Sequence, residues 1–319
     1  MTIQTVTGPI DDDALGRTAI HEHVRFVDEA VSEQWPAWYD AGQQLTDAVE
    51  QVESVQAHDV RTIVDPTAMF GGRSAPFLQR VCERTGIQLI ACTGVYTYDH
   101  LPHFYGARDA DAIAEMFVHD IERGIQGTDV KAGFLKCAAD EPGITENVEK
   151  LHRACARASV QTGAPIMAHS RPASGTGPQQ VRILLEEGVD PRKVQIAHTG
   201  DTDDLGYVEA LLETGVWIGL DRYGLPMFLD DERRDKTTIE LLDRGYADRL
   251  FIESDFATSI DWFPPEVVEQ LMGSGIVDPD WGMAYPFTHV LPRLREAGAW
   301  DDAVEAQVFE ANPRAWLTA

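Results

Sequence analysis

Thr18-Ala19-Ile20-His21-Glu22-His23 sets two histidines two residues apart at the end of a short apolar run near the N-terminus. Side chains alternate faces along a β-strand, so a strand over these residues puts His21 and His23 on one face and Glu22 on the other. Two imidazoles side by side make half of a metal site. Taken alone, the pair is equally well explained as two surface histidines in a turn, and the rest of the chain decides between these readings.

Working outward, seven further β-rich runs follow: Val60 to Asp65, Gln88 to Thr93, Ala132 to Cys137, Pro165 to His169, Val194 to His198, Val216 to Asp221 and Leu250 to Asp255. Amphipathic helical runs separate them, among them Leu45 to Ala57, Asp109 to Gly124, Asn147 to Thr162 and Asp231 to Gly245. Strand and helix alternating eight times predict an α/β fold, a (β/α)8 TIM barrel. With 319 residues, a single domain over 1–319 holds a barrel of roughly 250 residues with decorations. A doubly wound open sheet is the structural alternative, but no glycine-rich phosphate fingerprint follows the first strand.

A barrel of this kind carries its chemistry at the C-terminal ends of its strands. There the sequence places His21 and His23 on the first strand, Lys136 on the fourth, His169 on the fifth, His198 on the sixth and Asp255 on the eighth. Any one of them has an ordinary explanation as a satisfied core residue; the coincidence of all at one mouth does not. His58, His100, His103, His119, His152 and His289 fall on helices or loops and read as surface or packing residues. Lysine needs its own reason, because an ammonium ion is a poor ligand and is repelled by cations. Carboxylated by carbon dioxide, its amine becomes an anionic carbamate with two oxygens that can bridge two metals. The competing chemistry is a Schiff-base lysine, as in barrel aldolases, and the neighbouring imidazoles favour the metal.

Composition narrows the function classes. Acidic residues outnumber basic ones 53 to 26, a formal charge of −27, which repels nucleic acid, anionic membranes and polyanionic substrates while leaving neutral ones unpenalised. No apolar stretch approaches a membrane span. Met1 to Asp13 shows no basic n-region or apolar h-region, so the expected location is the cytoplasm. The four cysteines show no CxxC spacing and read as reduced core residues.

In order and spacing, Thr18 to His23, Gly133-Phe134-Leu135-Lys136-Cys137, Ala168-His169-Ser170, Ala197 to Asp204, Gly219-Leu220-Asp221-Arg222-Tyr223-Gly224 and Ser254-Asp255 resemble the phosphotriesterase family of the amidohydrolase superfamily. The resemblance runs from Val6-Thr7-Gly8-Pro9-Ile10 to Asn312-Pro313-Arg314. It is narrowest toward the phosphotriesterase-like lactonases, through Thr93 to Tyr98, Lys131 to Gly143 and the arginine after Gly-Leu-Asp. Those enzymes hydrolyse N-acyl-homoserine lactones, often with weak organophosphate hydrolysis alongside, and main phosphotriesterase activity is the alternative.

The resemblance implies two divalent ions, zinc first, with cobalt, manganese or iron as substitutes. His21, His23 and Asp255 would bind the more buried ion and His169 and His198 the more exposed one, with N6-carboxylated Lys136 and a hydroxide bridging both. Attack of that hydroxide on the lactone carbonyl then leaves Asp255 to relay the proton. Tyr96 matches the tyrosine that contacts the lactone, and Arg222 the arginine of the loop after the seventh strand. Asp201 opens a helical run, either as its cap or in support of Asp255. The long segment Phe256 to Tyr285 is expected to shape the substrate site. Its Trp262 and Phe263, with Tyr98 and with Met227 and Phe228 opposite, are candidates for an acyl-tail channel, the alternative being that they only pack the loop. The sequence departs from the lactonase pattern at Glu253-Ser254 and at Arg171 in His169-Ser170-Arg171-Pro172. Expected partners are a small-molecule lactone and a second copy of the chain in a homodimer.

Overall fold

The computed structural model describes residues 1–319, apart from the side chain of Pro265. Two short N-terminal strands, β1 (Thr2–Thr5) and β2 (Gly8–Asp11), pair antiparallel. This hairpin lies outside the eight strands expected from the sequence pattern. Eight parallel strands follow in chain order around one sheet: β3 (Arg17–Ala19), β4 (Val60–Asp65), β5 (Gln88–Gly94), β6 (Phe134–Ala138), β7 (Ile166–His169), β8 (Val194–Ala197), β9 (Trp217–Leu220) and β10 (Leu250–Ile252). With helices between them, they form the (β/α)8 barrel.

Local chemistry explains the element boundaries. The helix Glu146–Thr162 begins at Thr145, whose hydroxyl accepts from the Val148 N–H, and ends at Gly163 with φ of 82°, a left-handed turn that only glycine adopts without strain. Asp109 caps Ala110–Glu122 in the same way. On the strands, alternate residues face two cores. Ile63, Leu89, Leu135, Ile166, Ile196 and Ile218 pack outward under the helices. Phe134, Met167, Ala197, Trp217 and Phe251 point into the barrel.

The barrel floor is plugged from both ends of the chain. Ile3 and Leu15 join the inner cluster beside fully buried Trp316. The indole of Trp316 lies 5.6 Å from Phe134 and 6.2 Å from Phe251, and its Nε1 donates to the Lys193 carbonyl. Trp316→Ala is expected to lower unfolding free energy by about 3–5 kcal/mol, measured by denaturant titration; a loss below about 1 kcal/mol contradicts this packing role. With that end sealed, the opposite end is left to the loops that carry function.

The seam between β3 and β10 differs from the other joints. Both strands stop short: β3 ends at Ala19 and β10 at Ile252, so the first strand does not reach His21 and His23, nor the last Asp255. Side chains close the gap. The Ile20 N–H donates to Glu253 Oε1 at 2.7 Å, and Glu22 accepts from the Ser254 and Phe256 N–H groups at 2.9 and 2.8 Å. Beyond them His23 pairs with Phe256 and Thr258 through the main chain.

Candidate metal centre

His21 and His23 follow β3 in an irregular segment, yet the face assignment made for a strand survives. Both rings reach Asp255, with Nε2 of His21 and His23 at 3.2 and 3.4 Å from its Oδ1, whereas Glu22 turns to the seam. One donor atom from each of His21, His23 and Asp255 lies within 4.8 Å of the others. His169 ends β7, and its ring centroid is 4.4 Å from that of His198, one residue beyond β8. His198 and Asp255 adopt φ of 62° and 52°, backbone states that cost a non-glycine residue about 1–3 kcal/mol and are found where a site holds them.

Lys136 lies inside β6, two residues short of its end, opposite Gly94 and Met167. A side chain at Gly94 would run into the Lys136 carbonyl, so glycine there lets β5 approach closely enough to present the lysine. Fully buried, the Lys136 Nζ has His21 Nε2 and the Met167 sulfur as neighbours, each at 3.3 Å, and the Asp255 and Asp221 carboxylates lie nearby but beyond ion-pair distance. Burial pushes its pKa below the usual lysine range. A buried, unpaired amine favours its neutral form, the form that reacts with carbon dioxide or a carbonyl. With imidazole nitrogens and a carboxylate around it, this donor set suits divalent metal ions.

Each imidazole has a partner on another nitrogen. Asp221, directly after β9, accepts from His21 Nδ1 at 2.8 Å and His198 Nδ1 at 3.0 Å. It also accepts from the His198 backbone N–H, which steadies that left-handed residue. Although His21, His198 and Asp221 also cluster closely, these contacts have hydrogen-bond lengths, and they leave Nε2 of both rings for a ligand. Despite its burial, the His198 and His21 rings that donate to Asp221 hold its pKa well below the usual carboxylate range. His23 Nδ1 meets Thr67 Oγ1 at 2.8 Å, and His169 Nε2 meets Asp140 Oδ2 at 2.7 Å. Burial lowers the pKa of His23 and of His169 to about 4, so both rings are neutral at neutral pH. Asp221, Thr67 and Asp140 are functional residues beyond the candidates expected from sequence.

Asp201 does not cap the helix that follows; Asp204 does, accepting from Gly206 and Tyr207. Asp201 instead binds Arg222 Nη1 at 2.9 Å and Arg234 Nη2 at 2.8 Å. Arg222 donates through Nε to Asp255 Oδ2 at 2.9 Å, so it stands between Asp255 and Asp201 as a cationic bridge. The Tyr96 hydroxyl is 3.0 Å from that of Tyr98 and 3.1 Å from His169 Nδ1. Burial raises its pKa well above 10, which keeps it a neutral donor.

Above these residues opens a cleft of about 750 Å³ lined by Tyr96, Tyr98, Arg222, Phe228 and Trp262. Trp262 packs edge-on against Phe26 at 4.7 Å, and the Arg222 guanidinium lies 4.2 Å over the Phe228 ring. Met227 and Phe263 are not among the lining residues and stand 49% and 46% exposed. His100, assigned from sequence to a loop outside the site, lines the cleft. All four cysteines are free and buried, and among the described residues no helix is long and apolar enough to cross a membrane.

The chain matches the phosphotriesterase family over residues 1–317. It is 43% identical over 311 residues to an aryldialkylphosphatase of Saccharolobus solfataricus, with 97% of each chain covered. Identity to a phosphotriesterase homology protein of Mycobacterium tuberculosis is 36% over 320 residues, covering 98% of this chain and 96% of the other. The solved structure of the phosphotriesterase from Mycobacterium tuberculosis matches with a TM-score of 0.93 at 35% identity, over 99% of this chain and 98% of that one.

Proposed function

The chain belongs to the phosphotriesterase family, and from that premise we propose that it is a metal-dependent hydrolase whose main reaction is opening the ring of N-acyl-homoserine lactones. His21, His23 and Asp255 would hold one divalent ion and His169 and His198 a second, with carboxylated Lys136 shared between them. Zinc suits these nitrogen and oxygen donors best. Bound there, the ions would acidify water and polarise the substrate carbonyl.

The observation that carries the lactone reading is the pairing of Tyr96 and Arg222 at the floor of one partly aromatic cleft, each in contact with an expected ligand. The Tyr96 phenol offers a neutral donor to a ring oxygen. Asp255 is the carboxylate placed to take the proton given up by the attacking water, and Arg222 and Asp201 hold it in position. Phosphotriester hydrolysis is the second reading, favoured by the aryldialkylphosphatase relative; the same donors serve both reactions. Dimerisation through a copy of the chain remains part of this proposal.

Elemental analysis of purified protein is expected to find about two divalent ions per chain, with activity lost to chelators and restored by zinc, cobalt or manganese. Active protein without stoichiometric metal ends this reading. A rate panel of acyl-homoserine lactones, plain lactones and aryl dialkyl phosphates then separates the two reactions.

Trp262 sharpens the substrate claim. Each tail methylene buried against it contributes up to roughly 0.8 kcal/mol, about fourfold in kcat/KM, until the cleft is full. Trp262→Ala is expected to flatten the dependence on tail length while metal content stays unchanged. Efficiency independent of tail length in the parent protein rules out tail binding and leaves the metal chemistry standing.

A further inference from the structure

His169 is held by a chain of contacts that ends on an arginine two residues further along the sequence. Its Nε2 faces Asp140 Oδ2 at 2.7 Å; the other oxygen of that carboxylate accepts from Arg171 Nη1 at 2.9 Å and from the Glu141 N–H at 2.7 Å. Arg171 Nη2 in turn donates to Glu141 Oε1 at 2.8 Å. An ionised carboxylate only accepts, so Nε2 carries the ring proton and the lone pair sits on Nδ1, facing the Tyr96 hydroxyl. That is the nitrogen left for a metal ion.

We propose that Arg171 is a positioning residue that acts through Asp140 to fix His169 as the Nε2–H tautomer with Nδ1 directed into the centre. Arg171 fits this task because its guanidinium fork fastens two acceptors at once, which an ammonium group does not do in one plane. Standing on the loop after β7, just past His169, it also ties that loop to the loop after β6, which carries Asp140 and Glu141. Its side chain is 34% exposed on the cleft wall, so replacing it leaves the barrel core intact. The inference rests on the reading of His169 as a metal ligand.

Arg171→Gln and Arg171→Lys are compared with the parent protein by metal retention against graded chelator. Metal-free samples labelled with 15N-histidine report the His169 tautomer by NMR. The parent is expected to retain about two ions per chain, and Arg171→Gln to release one of them at roughly 10-fold lower chelator concentration, with Arg171→Lys between the two. In the metal-free state the parent should show Nε2–H at His169 and Arg171→Gln a mixture of tautomers. Unchanged chelator resistance in Arg171→Gln overturns the proposal while the centre stands. Lowered resistance with an unchanged tautomer also overturns it, since the effect is then one of general loosening. A parent protein that binds no stoichiometric metal removes the centre itself and the proposal with it.

Discussion

Asp221→Ala is expected to lower metal affinity and turnover by about 100-fold or more, although the residue touches neither ion nor substrate in the proposed arrangement. Loss of one hydrogen-bond partner to a ligand histidine costs 10–100-fold in affinity or activity, and this carboxylate serves His21 and His198 together. Two imidazole N–H groups would be left buried without acceptors, each costing about 1–3 kcal/mol, and the left-handed backbone of His198 would lose its support. Metal titration followed by competition with a chelator measures the first effect, and denaturant unfolding of metal-free protein measures the second. Asp221→Asn, which keeps the volume but accepts from one ring at best, should fall between. Parent-like metal content and rate in Asp221→Ala would show that the histidines need no orienting carboxylate.

Lys136→Ala should lose metal and rate together, also by at least about 100-fold, because a shared ligand matters no less than an outer partner. Acetate or propionate is expected to recover part of both by supplying carboxylate oxygens in the space left by the side chain. The Schiff-base alternative predicts the opposite behaviour in the parent protein, where borohydride with a carbonyl substrate would trap a covalent adduct on Lys136. No adduct is expected. A trapped adduct would move the protein to aldolase chemistry.

The fold was legible because eight apolar runs and the helices between them carry their periodicity locally. Candidate ligands were legible by type, since histidine, lysine and aspartate at strand ends have few structural uses. Partners of those ligands were not, because they depend on register between distant strands. Asp221 stood inside a quoted motif and closed the seventh strand, a position that by itself offered a signal. Gly219 was a second one: a side chain there would collide with the Asp221 carboxylate. Asp201 was read against the nearest helix, and the cap came from Asp204 because the turn Thr199–Asp201 intervenes. Phe263 and Met227 are sequence neighbours of Trp262 and Phe228, but only Trp262 and Phe228 line the cleft, because adjacency along an irregular loop does not fix which side chain turns to the site.

The carboxylate-closed seam has a consequence for how the molecule breathes. Around most of the barrel a strand can leave only by breaking a ladder of peptide hydrogen bonds, whereas β3 and β10 part when Glu22 and Glu253 release the Ile20, Ser254 and Phe256 amides and the few main-chain bonds from His23 and Phe26 to Phe256 and Thr258 break. Amide exchange at Ile20, Ser254 and Phe256 should therefore be governed by a local opening of lower free energy than global unfolding. Both edges of that opening carry donors of the centre, His21 and His23 on one side and Asp255 on the other. An ion gripped from both sides would act as a clasp on the hinge line, and loading should slow exchange there before it slows exchange anywhere else.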